Sequence, residues 1–144
     1  MAYGQRKAQE RLLKLHRSGK LHSWSYEQDY KILRTDGFIA IKNTMSGKFR
    51  FMFLEMDRGT NAFNKVDLYN KLYEKEKYAH WWWVPLSERF PVVQIVTVSD
   101  SRKRLIQSEI DAKNSAGLEF KVRLLDDVRK EVMNRCLGLC GQNV

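Results

Sequence analysis

Phe49-Arg50-Phe51-Met52-Phe53-Leu54-Glu55-Met56-Asp57-Arg58-Gly59-Thr60 is the most informative stretch of the chain. Side chains alternate between the two faces of a strand, so Phe49, Phe51 and Phe53 point one way and Arg50, Met52 and Leu54 the other. The same period carries Glu55 and Asp57 onto the face of Phe51 and Phe53. Arg58-Gly59-Thr60 then breaks the strand. A strand that begins on an apolar face and ends in two acids on that face places carboxylates at the edge of a core.

Working outward, residues 38–41 read as a buried strand, joined to this one by a hairpin loop over 44–48. Thr35-Asp36-Gly37 before it is a turn signal, because Asp-Gly supplies the backbone freedom a tight turn needs. Residues 30–34 read as a short extended run and 21–27 as an aromatic strand. Residues 5–18 read as an amphipathic helix closed by Ser18-Gly19. On the other side, 62–79 has helical spacing through Val66, Tyr69, Leu72 and Tyr73. The β-branched run 92–98 predicts a strand covered on both faces. Ser99 or Ser101 caps a helix over 101–114. Residues 118–125 read as a last strand and 126–140 as a last helix. The order is α-β-β-β-α-β-α-β-α. No repeat or linker divides it, so a single α/β domain is expected over residues 1–144.

The composition agrees. The chain has 144 residues, 43% hydrophobic and 30% charged, which is the balance of one soluble domain with its own core. The net charge of +9 is the electrostatic footprint of a polyanion partner, and nucleic acid is the expected one. The start has no apolar leader segment, and no window approaches the roughly 18 apolar residues that span a bilayer. A cytoplasmic protein is expected. Cys136 and Cys140, at i and i+4, fit a reducing compartment. Two cysteines without a nearby histidine make no zinc site and read as small packing residues. His16, His22 and His80 lack ligand spacing. No glycine-rich phosphate loop and no Ser-His-Asp order is present.

Chemistry concentrates where the strands end. Asp36 precedes one central strand, and Glu55 and Asp57 end its neighbour. Adjacent strands lie about 4.8 Å apart, so a turn acid and a strand-end acid can share one ion. Carboxylates grouped in this way suit Mg²⁺ or Mn²⁺, which activates water and neutralises phosphoryl charge. The alternative is a plain strand-to-helix connection. There Asp57 bonds backbone amides, and Arg58 pairs with Glu55 or Asp36.

These residues carry a resemblance. The α-β-β-β-α-β succession, with Asp36 before the second core strand and Glu55 on the third, resembles the PD-(D/E)xK nuclease fold, here with an additional C-terminal α-β-α. More closely, Arg34-Thr35-Asp36-Gly37, then Phe53-Leu54-Glu55-Met56-Asp57-Arg58-Gly59-Thr60, then a helix with Lys71-Leu72-Tyr73, resembles the replication-relaxation family of DNA-associated plasmid and phage proteins. Val96-Thr97-Val98 with Ser101-Arg102, and Glu27 after Trp24, extend the likeness over about residues 20–110. The resemblance implies a DNA-associated accessory role in replication, relaxation or mobilisation. If the domain is active, it implies metal-dependent DNA cleavage. The implied catalytic residues are Asp36, Glu55, Asp57 and Lys71. Asp36, Glu55 and Glu27 would hold the metal. Arg58, Thr60, Arg102, Lys103, Arg104 and Trp82 would meet nucleic acid.

The chain departs from the pattern in two ways. Asp57 stands where the nuclease motif has lysine, which leaves Lys71 or Lys65 of the next helix to supply the ammonium. No winged helix precedes the first helix. Both departures favour a second reading, a non-catalytic module or phage-encoded inhibitor acting on a protein or nucleoprotein partner. Trp81-Trp82-Trp83 has three readings: a stacking platform for bases, core filling, or a protein contact. Val128, Val132 and Leu139 offer a surface for a homodimer.

Overall fold

The strand containing Phe51 and Phe53 lies at the centre of a five-stranded mixed sheet with the order β1-β2-β3-β4-β5. The computed structural model describes residues 20–141. The strands are β1 (Lys20–Tyr26), β2 (Gly37–Lys42), β3 (Phe49–Met56), β4 (Val92–Thr97) and β5 (Phe120–Leu124). The helices are α1 (Lys65–Glu74), α2 (Asp100–Lys113) and α3 (Leu125–Gly141). The expected helix over 5–18 lies outside the described residues.

The first three strands form an antiparallel meander, with Phe38 opposite Phe53 and Ala40 opposite Phe51. β3, β4 and β5 run parallel. Each parallel step needs a crossover, and α1 and α2 supply the two crossovers. Both advance the sheet in the same direction, so crossovers of one hand put both helices on one face. Accordingly Val66, Tyr69 and Leu72 of α1 and Ile106 and Ile110 of α2 join Phe38, Ala40, Phe51, Phe53, Val93 and Ile95 in a single cluster. The opposite face carries Ile39, Ile41 and Val96, which are also buried.

Two sequence expectations are corrected. Residues 30–34 form a tight turn rather than an extended run. Tyr30 N–H donates to the Leu33 carbonyl at 2.8 Å, and Lys31 takes φ 71°. A lone bridge between Asp29 and Arg34 closes the turn. The helix expected over 62–79 is only Lys65–Glu74, because the chain leaves helical geometry through Glu76 at φ 51°. The tryptophan run belongs to turns that enter a 3-10 helix at Val84–Leu86, and its three side chains divide by environment.

Trp83 is 1% exposed and packs against Phe38, Phe51 and Tyr78, so it fills the core. Its indole N–H donates to the Tyr30 hydroxyl at 3.2 Å, and that hydroxyl donates to Gln28 Oε1 at 2.5 Å. A buried polar network with every partner filled costs little and fixes one arrangement. Trp81 is partly buried against Tyr30, while Trp82 is 46% exposed and meets Phe38 and Phe51 edge-on. Among the described residues no helix is long and apolar enough to cross a membrane.

Candidate functional site

The alternation of β3 continues past its apolar residues, so Phe51 and Phe53 are followed on the same buried face by Glu55 and then Asp57. This is the carboxyl end of the parallel part of the sheet, where open α/β sheets tend to present their sites. A pocket of about 420 Å³ opens there. Asp36, Glu55, Asp57, Arg58, Thr60 and Lys65 are among its lining residues.

Glu55 is 1% exposed, and both of its carboxylate oxygens have partners. The Tyr69 hydroxyl donates to Oε1 at 2.5 Å, and Lys65 Nζ donates to Oε2 at 2.7 Å. Lys65 and Tyr69 are neighbours on one face of α1 because they stand four residues apart. Lys65 also donates to the Arg34 carbonyl at 2.9 Å, which ties the helix to the turn carrying Asp36. Burial pushes the Glu55 carboxyl up to about 7, against the opposing pull of the Lys65 charge and the two hydrogen bonds, and Asp36 adds to the rise. Burial also raises the Tyr69 hydroxyl well above its ordinary value, and the Glu55 charge adds to this.

Asp36 reaches the site through strand register. Gly37 pairs with Leu54, so the residue before Gly37 falls beside the residue after Leu54. Its Oδ2 accepts from the Met56 N–H at 2.8 Å, which docks the turn onto the end of β3. The expected meeting of a turn acid and a strand-end acid is present, and the side chain of Asp36 stays exposed.

Of the two readings of Asp57, the strand-to-helix connection is the one its partners match, with the Gly59 backbone N–H among them. Glu55 pairs with Ile95, so Asp57 stands opposite Thr97, whose hydroxyl donates to Oδ2 at 2.7 Å. Arg102, in the first turn of α2, grips the same carboxylate with Nε at 3.0 Å and Nη2 at 2.8 Å. Its Nη2 also reaches the Asn61 carbonyl at 2.7 Å. These hydrogen bonds, led by Arg102, hold the Asp57 carboxyl below its ordinary range. A bidentate, charge-assisted grip of this kind is strong and directional. Asp57 therefore clamps the loop after β3 to α2, and the Arg102 guanidinium is turned to that carboxylate and to the Asn61 carbonyl. The cations that neutralise the acids are Lys65 and Arg102, in place of the Arg58 pairing considered from sequence.

The remaining expected residues scatter. Lys71 is exposed and lies outside the pocket lining; Lys65 holds the position beside Glu55. Glu27 is also exposed and outside the lining, 3.8 Å from Arg34. Arg58 and Thr60 are exposed on the pocket wall. Lys103 and Arg104 follow Arg102 on α2, with Arg104 exposed. Trp82 lies against Phe38 and Phe51, away from the pocket lining. Sequence reasoning passed over Tyr69 and Thr97 as site residues. The i, i+4 spacing of Lys65 and Tyr69 on the helix after β3 was the available signal for the first.

Among the described residues no group of three or more His, Cys, Asp or Glu is arranged to hold a metal. What remains is the pair Asp36 and Glu55. Mg²⁺ is commonly held by one or two carboxylates, with waters and substrate phosphate completing its shell, so this pair fits that ion. Asp57, committed to Thr97 and Arg102, does not belong to the set. Fold and site together define an α/β domain with an acidic, lysine-capped pocket at the ends of its parallel strands. No protein-family model, curated protein or solved structure matches the chain.

Proposed function

We propose that the chain is a DNA-associated domain of a plasmid or phage accessory protein, with a nuclease-like core that cleaves phosphodiester bonds using Mg²⁺ or Mn²⁺. One observation carries the reading: Lys65 Nζ stands 2.7 Å from Glu55 Oε2, in the pocket that Asp36 also lines. An ammonium from the neighbouring helix thus takes the part of the lysine that Asp57 replaces. The β-β-β-α-β succession and the net charge of +9 support the same reading.

In this reading Asp36 and Glu55 hold the metal, which when bound lowers the pKa of a water and neutralises phosphoryl charge. Lys65 presents its ammonium where negative charge develops on the phosphate. Arg58 and Thr60, on the pocket wall, position the phosphate backbone. The Asp57–Arg102 clamp keeps that wall in place.

The test is cleavage of supercoiled plasmid and of single-stranded DNA with Mg²⁺ or Mn²⁺, by wild type, Glu55→Gln and Lys65→Met. Activity in wild type and its loss in both variants is the expected result. Cleavage that survives Glu55→Gln sinks the assignment. DNA affinity should also fall steeply with salt, as counterion release requires.

A second reading, a non-catalytic module acting on a protein or nucleoprotein partner, has its own observation. Both buried acids are already closed by internal cations, Glu55 by Lys65 and Asp57 by Arg102. Absence of metal binding in calorimetry, together with absence of DNA affinity at low salt, would select it.

A further inference from the structure

We infer that Tyr69 is a positioning residue of the pocket: its hydroxyl pins Oε1 of Glu55, so that Oε2 is the oxygen turned to Lys65. The inference deepens the cleavage reading, and its functional consequence rests on that reading.

The terminal torsion of a glutamate is broad and nearly two-fold, so an unrestrained carboxylate presents either oxygen. Here one oxygen is held by a donor that cannot itself move. Tyr69 is 0% exposed, with its ring 5.2 Å from Phe53 and 6.1 Å from Phe120. A phenylalanine would satisfy that packing equally well; the partner that accounts for the hydroxyl is Glu55, at 2.5 Å. Lys65, one turn earlier, takes the other oxygen and simultaneously the Arg34 carbonyl. The two oxygens of Glu55 therefore have separate tasks. One is anchored to the core through Tyr69, and the other faces the cation side of the site. Groups that orient metal ligands in this way typically change affinity by roughly 10–100-fold when removed.

The experiment compares Tyr69→Phe with Tyr73→Phe in the full chain. Tyr73 sits four residues further along α1 and is 40% exposed. Mn²⁺ titration by calorimetry gives the first readout. The second is the side-chain ¹⁵N signal of the Lys65 ammonium, which persists against solvent exchange only while Glu55 and Arg34 hold it. Tyr69→Phe should lower Mn²⁺ affinity by roughly 10–100-fold and lose the Lys65 signal. Tyr73→Phe should do neither. A folded Tyr69→Phe with wild-type affinity and an intact Lys65 signal overturns the inference. If wild type itself binds no Mn²⁺ and cuts no DNA, the cleavage reading falls, and the Lys65 signal alone decides the role of Tyr69. If Tyr69→Phe does not fold, 4-aminophenylalanine in place of Tyr69 keeps a donor at the same position. Recovery of fold and Lys65 signal with that side chain supports the inference, and failure to recover them overturns it.

Discussion

Glu55 is where opposing forces at a single residue are plainest. Its ordinary carboxyl value is 4.5, and burial lifts it to about 7 despite the ammonium beside it. A raised acid holds its proton more tightly in the folded chain than in the unfolded one. Its contribution to stability is therefore complete below the ordinary value and is lost as pH rises to about 7. Wild type should lose stability relative to Glu55→Gln as pH rises from 4.5 to about 7, measured as the difference in urea midpoints. A difference that stays flat across that range would place the carboxylate in its charged form throughout. Asp57 runs the other way: its lowered value adds stability above the ordinary carboxyl range and withdraws it as pH falls through the folded value. Gly59 has a backbone requirement, at φ 77°. An added Cβ would lie 3.4 Å from both Arg102 Cγ and Val98 Cγ2, close but tolerable, so the conformation dominates the cost. Gly59→Ala should destabilise the fold by about 1–2 kcal/mol in chemical denaturation.

Elements bring these residues together through their ends. The sequence left the cap of α2 open between Ser99 and Ser101, and the structure gives it to Ser99, whose Oγ accepts from the Arg102 N–H at 3.3 Å. Residue 99 is extended, as an N-cap must be, whereas Ser101 is already inside the helix. That cap sets the first turn of α2 and with it the reach of Arg102 to Asp57. Ser99→Ala should cost roughly 1 kcal/mol by thermal or urea unfolding, and Ser101→Ala distinctly less. α1 is placed by Val66, Tyr69 and Leu72 on the sheet, which leaves Lys65 at its first position beside Glu55. Lys71, six residues on, is exposed. Six residues at ~100° each leave Lys71 about 120° around the helix from Lys65, off the face that three-and-four spacings share. Of the two lysines the sequence offered, that geometry brings Lys65 to Glu55 and turns Lys71 away.

For the molecule as a whole, one core unites both crossover helices, the meander and Trp83 on a single face of the sheet. Trp83→Ala should lower stability by about 3–5 kcal/mol, the usual cost of deleting a fully buried aromatic. Trp82→Ala, at 46% exposure, should cost far less, and equal costs would contradict the burial assigned to the two neighbours. The sequence determined the α/β class, the strand and helix succession over the described residues, and the convergence of Asp36 with Glu55. Those features follow from local periodicity and from register, which the residues themselves carry. It also showed that Asp57 shares the face of Glu55. Only the tertiary structure decided that Asp57 answers to Arg102 and Thr97, that Lys65 rather than Lys71 meets Glu55, and that Tyr69 completes the set. It decided too that three consecutive tryptophans have three environments. Each of these depends on where a helix axis or a turn lies over the sheet, and that is fixed by packing between distant segments.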